Sequence, residues 1–287
     1  MAGTLGRRIA VAAVAIPLAA GVVYAGGWIL VGVLAFLGVV GARELFALAA
    51  RRGIQALAGV GFAGAGLFPV LAFVTRMQPG IGDWVLLLPA AWLLVVLGAA
   101  TATRSPDRGP MSGIGVTLLG ATYAGGLPAT LIFLRYPPGA ADPGPATALA
   151  FLPLVTTWAC DTCAMAGGAA FGGAKLAPTL SPGKTWSGAV AGTVAAVLVA
   201  PLWGVFVVGG LGLEIAMWQL VACGIFVGTA GQFGDLAESL LKREAGVKDS
   251  GEFFPGHGGV LDRLDSLYWT VPGTALILAA GSVGAAP

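Results

Sequence analysis

The chain has 287 residues, of which 57% are hydrophobic and only 10% charged, with a net charge of +2 and a mean hydropathy of +0.90. A soluble domain carries about 25% charged residues, so lipid is the main solvent of this chain. A charge this small, without a basic patch interleaved with aromatics, excludes nucleic acid as a partner.

A bilayer-spanning helix needs about 20 mostly apolar residues. In chain order this rule predicts spans near 9–25, 27–42, 54–74, 84–101, 112–134, 147–171, 186–208, 215–233 and 266–284. The fold class is therefore all-α, a polytopic membrane protein of about nine transmembrane helices. The first run follows Arg7 and Arg8 and has the outline of a signal peptide. A second run begins after only Gly26-Gly27, so the first is read as a retained helix. With the N-terminus in the cytoplasm, thirteen basic residues fall in cytoplasmic segments and only Arg76 and Arg135 outside. That is a strong positive-inside bias. It puts the C-terminus outside and predicts a multi-pass inner-membrane protein whose site faces the cytoplasm. Residues 1–145 are expected to form the N-terminal helices and 146–287 the catalytic region.

The sixth run carries Asp161 among apolar neighbours. A carboxylate inside a span is expensive and marks a functional hypothesis; pairing with an internal base is the plain alternative. Cys160 and Cys163 beside it have CxxC spacing, but no second CxxC or nearby His completes a zinc site, so they and Cys223 read as small packing residues. The Gly167–Gly173 run lacks a preceding strand and full GxGxxG spacing, so it is not taken as a phosphate cradle. Ser181-Pro182-Gly183-Lys184-Thr185 gathers hydroxyls and a lysine where a helix is expected to start, a place that favours anions. It is not a P-loop, because the motif's earlier glycine and strand are missing.

Residues 235–265 hold 11 of the 28 charged side chains and the sole histidine, His257. Asp235, Glu238, Ser239 and Lys242 recur at i, i+3, i+4 and i+7, one face of a helix. An i,i+4 ion pair would account for Glu238 and Lys242, but not for Asp235 at the end of an apolar run. Three glycines then flank His257 in Pro255-Gly-His-Gly-Gly259, backbone able to approach a ligand closely. Asp262 and Asp265 follow, three apart. Mg²⁺ takes oxygen ligands and keeps waters and substrate phosphates in its shell, so Asp235 and Asp262 suffice as protein ligands. Carboxylates for a metal, cations for phosphates and a glycine loop at the membrane edge suit phosphoryl or nucleotidyl transfer to a lipid.

The stretch from Ser239 to Asp265 closely resembles the signature S-x-x-K-R-x4-K-D-x5-P-G-H-G-G-x-x-D-R-x-D of the phosphatidate cytidylyltransferases, or CDP-diacylglycerol synthases. Gly234-Asp-Leu-Ala-Glu238 is similar to the family's G-D-L-x-E lead-in, Ser181 to Gly188 to its S-P-x-K-T-x-x-G element, and Asp161 to Ala164 to its D-[ST]-x-A element. The resemblance implies transfer of CMP from CTP to phosphatidic acid in phospholipid biosynthesis. It also implies Mg²⁺, a second cation such as K⁺, and a homodimer. It makes Asp235 and Asp262 the metal carboxylates with Asp161 nearby, and Lys242, Asp249 and His257 catalytic. Ser181, Lys184, Ser239, Arg243, Lys248, Arg263 and Asp265 would contact substrate. The chain departs from the pattern at Met165, where Tyr is frequent, and at Ser187, where Glu is.

Two other readings fit less of the sequence. A CDP-alcohol phosphotransferase needs Gly after D-x-x-D, where Ser266 stands. A carrier using Asp161 and Asp235 leaves the Pro-Gly-His-Gly-Gly loop and the lysines unexplained.

Overall fold

In lipid every backbone polar group must be satisfied within its own segment or a closed sheet, and the apolar runs accordingly form helices. The computed structural model describes residues 16–78, 80, 84–138, 142–254, 258–281 and 283–285. The helices are α1 (Ile16–Ala25), α2 (Gly27–Ala50), α3 (Ala58–Met77), α4 (Trp84–Thr103) and α5 (Pro110–Arg135). They continue with α6 (Pro143–Phe171), α7 (Trp186–Leu211), α8 (Met217–Glu244), the single turn α9 (Leu261–Leu264) and α10 (Leu267–Ala279). Each expected span overlaps one of these helices, the first only from residue 16, since 9–15 lie outside the described residues. Among the described residues six, α2, α3, α5, α6, α7 and α8, are long and apolar enough to cross a membrane. The other three, α1, the Leu87–Thr103 part of α4, and α10, are shorter apolar helices.

Three boundaries differ most from expectation. The run expected to end near 42 continues as helix to Ala50. The run expected to end near 233 continues as helix to Glu244, so the first charges of the dense stretch stand on α8 itself. The last run ends at Ala279, because β4 (Val283–Ala285) turns back to pair antiparallel with β3 (Leu213–Ile215). A second antiparallel pair, β1 (Lys175–Ala177) and β2 (Ser181–Thr185), joins α6 to α7. Neither ribbon was foreseen; both are strands of only three to five residues.

Small residues decide how the C-terminal helices pack. The buried residues of the α-helical part of α7 are Gly188, Gly192, Ala196 and Ala200, one every four residues. A Cβ on Gly192 would lie 2.8 Å from the Cys160 carbonyl oxygen of α6. On the other side, Gly224 and Gly228 of α8 face Val197 and Thr193, with room for no Cβ at either. Such spacing lets helix backbones touch where apolar burial gives no driving force. Hydrogen bonds reinforce the seam: Thr193 Oγ1 donates to the Gly228 carbonyl at 2.9 Å and Gln232 Nε2 to the Ala189 carbonyl at 3.1 Å. Thr157 of α6 and Thr270 of α10 pair through their hydroxyls at 3.1 Å. The N-terminal helices pack around Phe46, Ala65, Ala121 and Ala124, and the same cluster takes in Leu261 of α9 and Tyr268 of α10. The two halves therefore share one core beneath the charged end of α8.

Candidate active site

The last three turns of α8 present the expected polar face. Glu238, Ser239 and Lys242 are buried on it, and Leu240 opposite is exposed. Lys242 Nζ lies 3.0 Å from Glu238 Oε1 and 2.7 Å from Asp262 Oδ1. One ammonium thus ties α8 to the turn that opens α9. The i,i+4 pair weighed from sequence is present, but it is half of a bridge. Apart from that ion pair neither Glu238 oxygen meets a hydrogen-bond donor among the described residues. One turn earlier, Asp235 Oδ2 lies 2.6 Å from Lys184 Nζ on β2, and the Ser239 hydroxyl is 3.4 Å from Asp235 Oδ1.

Asp262 is held on both oxygens. Its Oδ2 accepts from the Ser250 N–H at 2.8 Å, the Ser250 hydroxyl at 2.9 Å and the Gly259 N–H at 2.8 Å. Burial alone would raise this carboxyl, yet the hydrogen bonds from Lys242, Gly259 and Ser250 outweigh it and hold Asp262 below the ordinary carboxylate value. Asp265 goes the other way. Burial, then the negative charge of Asp235, lifts it to about 7.

The same turn is gripped from a distant part of the chain. Glu44, near the end of α2, accepts from the Ser250 hydroxyl at 3.0 Å, the Val260 N–H at 2.9 Å and the Leu261 N–H at 2.9 Å. A Cβ on Gly251 would meet Glu44 Oε1 at 2.8 Å, and one on Gly259 would strike Glu44 and Ser250. These two glycines make room for a carboxylate of the protein itself. Gly258 has φ +83°, and a Cβ there would lie 2.6 Å from Asp262 Oδ2.

Beside Asp235 opens a cavity of about 550 Å³ between α6, the β1–β2 hairpin, α7 and α8. Asp161, Lys175, Lys184, Gln232 and Asp235 supply its polar wall, and Gly172 and Gly173 part of its backbone wall. Asp161 therefore opens to a polar cavity instead of being sealed among helices, which relieves the cost of a carboxylate at that depth. The glycine run discounted as a dinucleotide fingerprint still reaches the site: Gly172 and Gly173 both have positive φ, which bends the chain from α6 into the hairpin. Ser187, one of the two departures, donates to the Gly172 carbonyl. Met165, the other, is exposed on the cavity wall. The Ser181–Thr185 cluster stands where the expected helix starts: Lys184 lies on β2, and Thr185 after it caps α7 by accepting from the Gly188 N–H at 3.2 Å.

The structure brings together Asp161, Lys184, Asp235, Ser239, Lys242 and Asp262 through the cavity and the two lysine bridges. Ser181 lies on the same hairpin. Arg243 is exposed and committed to carbonyls, at 3.4 Å from Leu180 and 3.1 Å from Val247. Lys248, Asp249 and Arg263 are exposed beyond the cavity lining. His257 lies outside the described residues. The three cysteines are free, and Cys160 and Cys223 are buried, as packing residues should be. Sequence reasoning missed Glu44, Lys175 and Gln232. The one available signal for Glu44 was an acidic residue, beside Arg43, at the end of a long apolar run.

Among the described residues no three His, Cys, Asp or Glu side chains gather as a metal cluster. Mg²⁺ does not require one, since it binds through one or two carboxylates plus water and phosphate. At both Asp235 and Asp262 an ammonium already sits within 2.7 Å of a carboxylate oxygen. Each is a place where positive charge is favoured, and the donor set fits a hard divalent cation.

A family model described as the cytidylyltransferase family matches residues 6–280. The chain is 30% identical over 289 residues to a phosphatidate cytidylyltransferase of Synechocystis, covering 93% of this chain and 94% of that protein. It is 32% identical over 283 residues to phosphatidate cytidylyltransferase 4, chloroplastic, of Arabidopsis thaliana, covering 87% and 67%. The phosphatidate cytidylyltransferase of Brucella suis is 41% identical over 176 residues, 61% of this chain and 60% of that protein. The match thus spans about 60% of the length of the Brucella relatives. With nearly the whole chain matched by the family model and the Synechocystis relative aligned almost end to end, the chain belongs to the phosphatidate cytidylyltransferase (CDP-diacylglycerol synthase) family.

Proposed function

We propose that this protein transfers CMP from CTP to phosphatidic acid, giving CDP-diacylglycerol and pyrophosphate. The observation that carries the reading is the pair of lysine–carboxylate bridges at the end of α8, one of them on the wall of a polar cavity large enough for phosphate groups. A phosphate-monoester oxygen of phosphatidic acid forms the new bond to the α-phosphorus of CTP. The bond from that phosphorus to the oxygen bridging to the β-phosphorus breaks, and pyrophosphate leaves with its electron pair. The nucleophile is already anionic near neutral pH, so positioning and charge neutralisation carry the catalysis.

In this reading Lys184 and Lys242 exchange their carboxylate partners for substrate phosphates, and Lys175 lines the approach. Ser181, Ser239, Arg243, Lys248, Arg263 and Asp265 are further substrate contacts, and Asp249 and His257 complete the catalytic set. Asp235 and Asp262, with Asp161 nearby, would hold Mg²⁺, which when bound neutralises phosphate charge as a Lewis acid. A second cation such as K⁺ is part of the proposal.

We further propose nine membrane crossings in an inner membrane, the N-terminus in the cytoplasm and the C-terminus outside, with a homodimer as the assembly. Two observations support the orientation. Arg135 binds the Val23 and Tyr24 carbonyls and Arg76 the Tyr136 carbonyl, which groups the two expected outer arginines near the end of α1. Glu44 lies 18 residues up α2 from Gly26, about 27 Å at 1.5 Å per residue, and shares its end of the bundle with Lys242 and Asp262.

Purified protein in detergent, given phosphatidic acid, labelled CTP and Mg²⁺, is expected to move label into lipid and release pyrophosphate. No lipid label, with and without K⁺, refutes the reading.

A further inference from the structure

We propose that Glu44 is a positioning residue of this site. It acts through Ser250 and the 259–261 backbone to fix Asp262, and hence the cation held there; the cation part of this rests on the function proposed above. Three observations converge on it. Glu44 is a buried carboxylate on α2, a helix that otherwise supplies nothing polar to the site. Its two oxygens take three donors, and all three lie in the segment from Ser250 to Leu261 that also carries the donors to Asp262. Gly251 and Gly259 lack the Cβ that would collide with it there.

The link to Asp262 is a single hydroxyl. Ser250 Oγ lies 3.0 Å from Glu44 Oε2 and 2.9 Å from Asp262 Oδ2, yet it has one proton to give. When the hydroxyl donates to Glu44, the Ser250 and Gly259 N–H groups still orient Asp262 Oδ2 at 2.8 Å each. Ser250 therefore ties the two carboxylates together, and Glu44 holds in place the residue that orients Asp262. The Val260 and Leu261 N–H groups, which open α9, are fixed by the same carboxylate, so the turn carrying Asp262 cannot swing as it changes partner. A glutamine here turns one acceptor into a donor facing these N–H groups or the hydroxyl, and the grip is lost at near-constant volume.

The test uses full-length protein in detergent and Mn²⁺ as the probe, titrated by electron paramagnetic resonance without nucleotide. Partners of metal ligands typically contribute 10–100-fold in metal affinity or activity. Glu44→Gln is expected to raise the Mn²⁺ Kd about tenfold, with helix content and elution volume unchanged. Glu44→Asp, which keeps both acceptors, recovers part of the loss. Ser250→Ala weakens binding in the same direction, and the double variant with Glu44→Gln is no worse than Glu44→Gln alone, as expected for two residues acting in series. In turnover assays, raising Mg²⁺ restores Glu44→Gln while the KM for the lipid stays put. A wild-type Mn²⁺ Kd in Glu44→Gln overturns the inference. Should that variant fail to fold, a wild-type Kd in Ser250→Ala overturns it, as does a parent protein that binds no Mn²⁺. A parent that binds Mn²⁺ but labels no lipid refutes the proposed reaction and leaves the role of Glu44 standing.

Discussion

Consider replacing Lys242 by methionine, which keeps the length of the side chain and removes its charge. In the parent, Lys242 sits 3.0 Å from Glu238 and 2.7 Å from Asp262, with the three side chains 11%, 0% and 6% exposed. The two carboxylates are not equally dependent on it. Asp262 keeps its hydrogen bonds from Ser250 and Gly259. Glu238 keeps nothing, since neither oxygen has another donor within reach among the described residues. Removing one partner of a buried ion pair costs about 3–5 kcal/mol because the other charge is left uncompensated. Lys242→Met should therefore destabilise the protein by about that amount, with most of the loss traceable to Glu238. Adding Glu238→Leu removes the stranded carboxyl without leaving a polar group in its place and should bring stability back to within about 1 kcal/mol of the parent, since replacing both members of such a pair by apolar residues is often neutral. The double variant stays inactive if Lys242 makes the proposed phosphate contact. Unfolding followed by circular dichroism in mixed micelles measures the three variants against the parent. A Lys242→Met protein as stable as the parent, or a double variant no better than the single, would refute the view of Lys242 as the clamp on a buried charge.

Asp262→Asn should abolish label transfer even at high Mg²⁺: both oxygens accept hydrogen bonds, so an amide placed either way turns a donor toward a donor. Near-normal turnover removes Asp262 from the site. Gly258→Ala places a Cβ 2.6 Å from Asp262 Oδ2 at φ +83°; the left-handed backbone alone costs about 1–2 kcal/mol, and the lipid-labelling rate should fall with it, whereas Gly53→Ala, also at positive φ but with nothing within 4 Å, should lose stability without losing turnover. The lowered Asp262 carboxyl has a pH signature. Its contribution to stability is complete above the ordinary unfolded carboxylate value and is lost as pH falls through the lower folded value. Unfolding free energy measured against pH should drop on the acid side in the parent, and the drop should shrink in Asp262→Asn.

How much of this was legible in the sequence depends on the range of the interaction. The face formed by Asp235, Glu238, Ser239 and Lys242 follows from helical period, and α8 carries it. The helix positions follow from apolar length, although three of the nine helices fall short of a full crossing among the described residues. What periodicity does not encode is partner identity between distant elements. Lys184 reaches Asp235 from a hairpin whose strands have only three and five residues, too short to leave a strand pattern. Glu44 meets Ser250 across 206 residues, and of the two glycines that admit it, Gly251 and Gly259, only Gly259 was read as clearance for a ligand. Its backbone is indeed approached closely, but by the protein itself.

The grip of Glu44 also bears on how the protein is made. At about 5–20 residues per second of synthesis, the 206 residues between Glu44 and Ser250 take about 10–40 s to appear. During that interval α2 has left the ribosome with a carboxylate whose three donors do not yet exist. The helix must enter the membrane while Glu44 is wetted at its edge, and the turn before α9 later closes over it. Assembly of the charged end thereby waits on the synthesis of Ser250 to Leu261, and a chain that stalls before them would carry an unmet acid in α2, a mark by which quality control could tell it from the folded protein.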